Sequence, residues 1–215
     1  KAKIKAQDHA AELLDIESRR SIASSYQLLC DEGSYLEFDK DFPYVLTADQ
    51  SNCINDILKD MALIKPMNRV ICGDVGFGKT EVALRAAFKA VDNGKQVAVL
   101  VPTTILAFQH AKTFKSRLKD FPVAVDYINR FKTTKQRKET LEHLESGKLD
   151  IIIGTHQLVN KSVKFKDLGL LIVDEEQKFG VAVKEKLKTL KDNVDVLTLT
   201  ATPIPRTLQF SLMAA

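Results

Sequence analysis

At 215 residues, 45% hydrophobic and 28% charged, the chain can bury one substantial core with a small appendage. It has no apolar run near the roughly 18 residues of a membrane span, and its N-terminus, KAKIKAQDHAAELL, is too polar and acidic for a secretory signal, so a soluble, cytoplasmic protein is expected. The net charge of +4 is compatible with a nucleic-acid partner without demanding one, and Cys30, Cys53 and Cys72 show neither metal nor redox spacing, which predicts reduced thiols in the core.

In chain order, residues 1–29 read as one long helix, with Ala6, Ala10, Leu13 and Leu14 on one face and Asp8, Glu12, Asp15 and Arg19 on another. The stretch CDEGSYLEFDKDFPY breaks that pattern with Gly33 and Pro43, so 30–46 is expected to be a connecting segment. A second helix is predicted from near Thr47, its buried face made by Ile54, Ile57, Leu58 and Met61. From Arg69 the rhythm changes. Short apolar runs, RVIC, QVAVLV, VAVDYI, DIIIG, LGLLIVD and VDVLTLT, alternate with helical patterns such as Ala107, Ala111, Phe114 and Leu118. Continuous apolar strands separated by helices predict an open, mostly parallel sheet with helices on both faces, an α/β domain over 47–215.

The first strand runs into Gly73-Asp74-Val75-Gly76-Phe77-Gly78-Lys79-Thr80, which matches G-x-x-x-x-G-K-[ST] between a predicted strand and a predicted helix. Glycines let the backbone curl its N–H groups inward onto phosphate oxygens, and the helix that follows presents its positive end to the same anion. Lys79 would neutralise the β- and γ-phosphates of a nucleotide, and Thr80 would hold Mg²⁺ through its hydroxyl. A GTPase would also show N-K-x-D, but Asn160-Lys161-Ser162-Val163 lacks the aspartate. Further on, LLIVDEEQKFG carries Leu170 to Val173 straight into Asp174, Glu175 and Glu176. Adjacent carboxylates at the tip of a buried strand are costly unless a cation or hydrogen bonds compensate. Mg²⁺ would do so, with Asp174 organising the metal and Glu175 orienting or deprotonating the attacking water.

Around these two segments lie VPTTILAFQH, IIIGTHQL and LTATPIPRT, each a strand followed by small hydroxyl residues, where an open α/β sheet places its functional loops. Together the motifs resemble those of superfamily 2 helicases. They are most similar to the first RecA-like motor domain of the transcription-repair coupling factor family, with RecG branch-migration helicases as cousins, and the N-terminal AAELLDIESRR resembles the helix that links that domain to a polymerase-binding module. The resemblance implies an ATP-driven translocase on double-stranded DNA, acting on stalled RNA polymerase together with excision-repair proteins. Lys79 and Thr80 match the Walker A pair, and Asp174 and Glu175 the Walker B pair. Pro102, Thr103 and Thr104 look like the DNA-contacting motif Ia, and Gly154, Thr155 and His156 like a second backbone-phosphate loop. Thr200, Ala201 and Thr202 look like motif III, which couples hydrolysis to DNA. Phe42 and Gln50 look like the adenine-reading Q motif, although Thr47-x-x-Gln50 is also a capping box. Two positions depart from the family pattern: Gln177 stands where it usually has histidine, and Asn129 where it typically has serine before Arg130, itself a candidate DNA contact.

Two lysine-rich faces, Lys132, Lys135, Arg137 and Lys138, and Lys184, Lys188 and Lys191, could meet phosphates, but interleaved glutamates favour plain solvation. The resemblance also implies a second RecA-like domain in cis that supplies an arginine finger. Without that contribution, of order 10³ to 10⁵ in rate where such fingers act, the chain alone is expected to bind ATP weakly and hydrolyse it poorly. A RecG-like branch-migration motor and a nucleotide-dependent interaction module without catalysis remain the alternative readings. Partner binding that survives Glu175→Gln would be the mark of the module.

Overall fold

The computed structural model describes residues 25–29, 32–160, 162–191 and 193–201. Within them run α1 (Glu32–Lys40), α2 (Ala48–Met61), β1 (Asn68–Cys72), α3 (Lys79–Asp92), β2 (Gln96–Leu100), α4 (Thr104–Arg117), β3 (Val125–Ile128), α5 (Thr134–Ser146), β4 (Ile151–Gly154), β5 (Leu168–Asp174), α6 (Val181–Lys191) and β6 (Asp195–Thr200). Each of the six apolar runs forms a strand. They assemble in the order β1-β6-β5-β2-β4-β3, and every pairing is parallel. Among the described residues no helix is long and apolar enough to cross a membrane.

Alternation along the strands divides the core in two. Val97, Val99, Ile151, Ile153, Leu170, Ile172, Leu197 and Leu199 face a layer made by α2, α3 and α4. Their neighbours Ala98, Leu100, Ile152, Leu171 and Val173 face α5 and α6. Both faces of the central strands are therefore dry, which is why those runs are apolar without interruption. Gln96, buried at the start of β2, is one of the polar exceptions. Its amide donates to the carbonyls of Leu144 and Leu149 and accepts from the N–H groups of Lys166 and Asp167. One side chain thus bonds four backbone groups, pinning the end of α5 and the entry to β5 onto β2.

Two expectations about the N-terminal region need correcting. The helix expected over 1–29 does not reach 25–29, which run without regular structure; residues 1–24 lie outside the described set. Here the backbone bonds go to another element: Ser25 N–H reaches the Ile64 carbonyl and Leu28 N–H the Met61 carbonyl, with Leu28 itself buried. The expected connecting segment contains α1. Phe38 is fully buried, stacked on Phe88 with centroids 4.3 Å apart and set edge-on to Phe121 at 5.5 Å. Gly33 lies in the first turn of α1, where it costs little, and Tyr35 and Phe38 share one face, a pairing visible in the sequence. Two cysteines also differ from expectation, Cys72 being exposed on the edge strand β1 and Cys53 half-buried, while Cys30 lies outside the described residues.

Candidate nucleotide and nucleic-acid site

All six strands point the same way, so the loops at their carboxyl ends share one edge of the sheet. β1, β6 and β5 are neighbours there, with Cys72 opposite Thr200 and Asp174 opposite Leu199. Two strand spacings, about 10 Å, thus separate the glycine loop from the acidic tip. The β6 end is bonded to both: Gly73 N–H donates to the Thr200 carbonyl at 3.2 Å, and Glu175 N–H to the Leu199 carbonyl at 2.8 Å.

Within the glycine loop, Gly76 and Gly78 have φ of +90° and +72°. Gly78 is the N-cap of α3, and no side chain among the described residues caps the first turn of that helix, so its leading N–H groups are available to an anion. Lys79 folds its ammonium back onto the carbonyls of Gly73 and Asp74. Asp74, Val75, Gly76 and Phe77 are exposed.

Gln50 fills the capping box: its Oε1 accepts from Thr47 N–H at 2.9 Å, and Thr47 Oγ1 accepts from Gln50 N–H at 3.2 Å. Its Nε2 also donates to the Phe77 carbonyl at 2.9 Å, tying α2 to the glycine loop. Both ends of the amide expected to read adenine are therefore engaged with the protein itself. Phe42 has two guanidinium groups beside it, those of Arg85 and Arg117, each 5.5 Å from its ring centroid. Those arginines belong to a network the motifs do not announce. Glu81, buried on α3, meets Arg85 at 3.1 Å and Arg117 at 3.5 Å, while Arg117 also reaches Asp41 at 2.8 Å and Arg85 pairs with Asp39. Burial pushes the Glu81 carboxyl up, and the two guanidinium groups only partly offset it. The i, i+4 spacing of Glu81 and Arg85 was the available sequence signal.

At the acidic tip, Asp174 is 9% exposed, and its Oδ2 lies 3.2 Å from His110 Nε2 on α4. Glu175 adopts a left-handed backbone, φ +52°, unusual outside glycine. Its carboxylate accepts from Ala201 N–H at 2.9 Å and from the Gln177 amide. Thr200 Oγ1 lies 3.5 Å from Gln177 Oε1, and Thr198 Oγ1 lies 3.4 Å from Glu176. The structure thus brings Glu175, Gln177, Thr200 and Ala201 together; Thr202 lies outside the described residues.

The other half of the edge carries the remaining loops. Leu100 and Ile128 both sit opposite Gly154, and Val101 N–H donates to the Gly154 carbonyl at 2.9 Å, so the loops after β2, β4 and β3 cluster. Thr103 is exposed and caps α4 by accepting from Leu106 N–H; Pro102 and Thr104 are half-buried. His156 is exposed, whereas Gly154 and Thr155 are buried. A Cβ on Gly154 would lie 2.9 Å from Leu158 and 3.0 Å from the Ile128 carbonyl, so close packing accounts for that glycine. Arg130 is exposed, with its guanidinium over Phe131 at 5.1 Å. Asn129 is buried and accepts from the N–H groups of Phe131 and Lys132, shaping the turn that presents Arg130. Lys132 is occupied by Asp126 and Thr140, which removes it from the candidate phosphate contacts. Lys184 is half-buried and Lys135, Arg137 and Lys138 stand on exposed or partly exposed turns of α5, while the side chains of Lys188 and Lys191 lie outside the described set.

For a divalent cation the available donors are hard oxygens, the Asp174 carboxylate and the Thr80 hydroxyl. The described residues form no cluster of three or more His, Cys, Asp or Glu that could hold a metal. That donor set fits Mg²⁺ carried in with phosphates, which asks the protein for only one or two ligands.

A phosphate-type glycine loop, an acidic strand end and a bridging Thr-Ala loop on one carboxyl edge define a RecA-like nucleotide-binding domain of the helicase type. The chain belongs to the DEAD/DEAH box helicase family, whose model matches residues 47–210. It is 57% identical over 99% of its length to the transcription-repair-coupling factors of Staphylococcus epidermidis and Staphylococcus aureus, and spans 18% of each of those proteins. The solved structure of RecG bound to a three-way DNA junction superposes with a TM-score of 0.79 at 35% identity, covering 91% of this chain and 26% of that one. The family resemblance read from the motifs, and the parallel α/β fold read from the strands, are both borne out.

Proposed function

We propose that this chain is the ATP-binding half of a double-stranded DNA translocase of the transcription-repair coupling type, acting on stalled RNA polymerase in the complete protein. The observation that carries the reading is the β6 end, hydrogen-bonded to Gly73 on one side and to Glu175 on the other. A change at the triphosphate is thereby one hydrogen bond from the loop expected to feel DNA.

The chain's own groups suggest the sequence of events. Lys79 leaves the Gly73 and Asp74 carbonyls for the phosphate oxygens, exchanging neutral acceptors for charged ones. The N–H groups of the loop and of the first turn of α3 complete the cradle. Asp174 and Thr80 would hold Mg²⁺, which when bound neutralises phosphate charge. Glu175, freed from Ala201 N–H and Gln177, orients water. Gln50 spends one amide hydrogen on Phe77 and one Oε1 lone pair on Thr47, so the second of each would meet adenine with the cap intact. On the other half of the edge, Pro102, Thr103, Thr104, Arg130 and His156 would touch a DNA backbone, with Gly154 and Thr155 shaping the second loop. Hydroxyls, backbone N–H groups and a guanidinium grip phosphate without reading sequence. Residues 1–29 would lead from an upstream module, and a second RecA-like unit would close over the triphosphate.

Titration with a fluorescent ATP analogue and Mg²⁺ tests the reading. Lys79→Ala should lose binding by at least about tenfold. Glu175→Gln should keep the nucleotide while abolishing DNA translocation in the parent protein. Displacement of a stalled polymerase by both variants would end the motor assignment. Activity confined to forked or branched junctions would favour the RecG-like reading.

A further inference from the structure

We infer that His110 is a positioning residue for the cation-binding aspartate, holding Asp174 Oδ2 through its Nε2–H and leaving the second carboxylate oxygen for the metal. The inference rests on the nucleotide reading above and names a side chain none of the motifs assigns. His110 is 9% exposed and stands on the face of α4 that otherwise packs Ala107, Ala111, Phe114 and Leu118 into the core. Its Nε2 lies 3.2 Å from Asp174 Oδ2, and its ring is set edge-on to Phe114 at 6.4 Å. A carboxylate can only accept, so the contact is a hydrogen bond only when the imidazole proton is on Nε2. Nδ1 is buried and has no partner among the described residues. An aliphatic residue would fill this position without burying an unpaired polar atom. What the imidazole does here and an aliphatic cannot is donate to Asp174.

The placement gives the contact further meaning. β5 and β2 adjoin at the middle of the sheet, with the nucleotide loops to one side and the candidate DNA loops to the other. His110 lies roughly two turns along α4 from Thr103, the residue that caps this helix in the loop after β2. One helix thus carries a candidate DNA contact at its start and the partner of Asp174 in its middle. Second partners of metal ligands commonly fix the ligand's orientation and are worth about 10–100-fold in metal affinity or activity.

The test measures the affinity of this chain for a fluorescent ATP analogue with Mg²⁺ and with EDTA, in wild type, His110→Met and His110→Gln, with folding checked by circular dichroism. The expected result is a loss of about tenfold or more of the Mg²⁺-dependent gain in His110→Met, with the EDTA affinity unchanged. His110→Gln, which keeps an amide donor, should recover most of that gain. An equal loss with and without Mg²⁺ would make His110 a packing residue and overturn the inference, as would a full gain in His110→Met. A wild type with no Mg²⁺-dependent binding would remove the nucleotide reading and this inference together, whereas a normal wild type beside an unaffected His110→Met removes only the inference. Should His110→Met unfold, nitrogen NMR of wild-type His110 decides: a proton on Nε2 supports the inference, and a bare Nε2 overturns it.

Discussion

Gly78 satisfies two demands at one position. Its φ of +72° lies where a side chain is strained, and a Cβ there would approach Gln50 Nε2 to 2.4 Å. The neighbouring Gly76 has φ +90° but nothing within 4 Å of its would-be Cβ. Left-handed backbone costs roughly 1–2 kcal/mol for a non-glycine residue, so both alanine variants should lose about that much in denaturant unfolding. Gly78→Ala should cost more than Gly76→Ala, because it also pushes Gln50 off the Phe77 carbonyl. In Gly78→Ala/Gln50→Ala the excess should shrink, since the clash and the hydrogen bond vanish together. Equal costs for the two single variants, measured by urea unfolding, would show that the Gln50 contact does not constrain the loop.

At the scale of elements, α5 is fastened to the edge strand β3 by a charged cluster. Asp126 on β3 accepts from the Lys132 ammonium at 2.5 Å and from Thr140 Oγ1 at 2.7 Å, and Lys132 also reaches Thr140 at 2.9 Å. Burial pushes the Asp126 carboxyl up, but the hydrogen bonds from Lys132, Thr140 and the Tyr127 N–H outweigh it and hold it below the ordinary 3.8. A carboxyl depressed by folding contributes stability that is complete above pH 3.8 and drains away as pH falls through the lower folded value. Asp126→Asn should therefore be less stable than wild type at neutral pH, and the gap should narrow below pH 3.8. A gap of constant size from neutral to acid, followed by thermal unfolding, would mean that Asp126 acts through packing alone. The same reasoning covers Gln96 and the Glu81 network: polar groups bridge elements where backbone or charge would otherwise be buried unpaired.

For the whole molecule, two dry layers on one sheet mean that the edge carrying the loops is held by both cores at once. A ligand that binds only the folded edge then stabilises the entire unit. At a hundred times its dissociation constant a nucleotide adds about 2.7 kcal/mol. For a domain of this size each kcal/mol raises the melting temperature by about 2–4 °C. The Mg²⁺ complex of a non-hydrolysable ATP analogue should accordingly raise the melting temperature by about 5–10 °C, and Lys79→Ala, binding at least about tenfold more weakly, should cut the rise to about half or less at the same concentration. An undiminished shift in Lys79→Ala would place the nucleotide somewhere other than the glycine loop.

How much of this was legible beforehand follows from the range of each force. The strands, the glycine loop, the acidic tip and the Thr-Ala loop were readable because each is written in contiguous residues: unbroken apolar runs, positive-φ glycines, carboxylates at a strand end. The capping box at Thr47 and Gln50 was equally local. What the sequence could not show was where side chains far apart in the chain would meet. The aromatic stack of Phe38 on Phe88 turned an apparent connector into a packed helix, and residues 25–29 gave up helical bonds for the carbonyls of 61 and 64. Gln50's second partner at Phe77, the arginines around Phe42 and the His110–Asp174 contact are all set by strand order and helix packing. Local chemistry determined which elements form and which loops can hold a phosphate. Only the tertiary structure decided which of those loops are neighbours, because burial rewards contacts across the fold without regard to their separation in the chain.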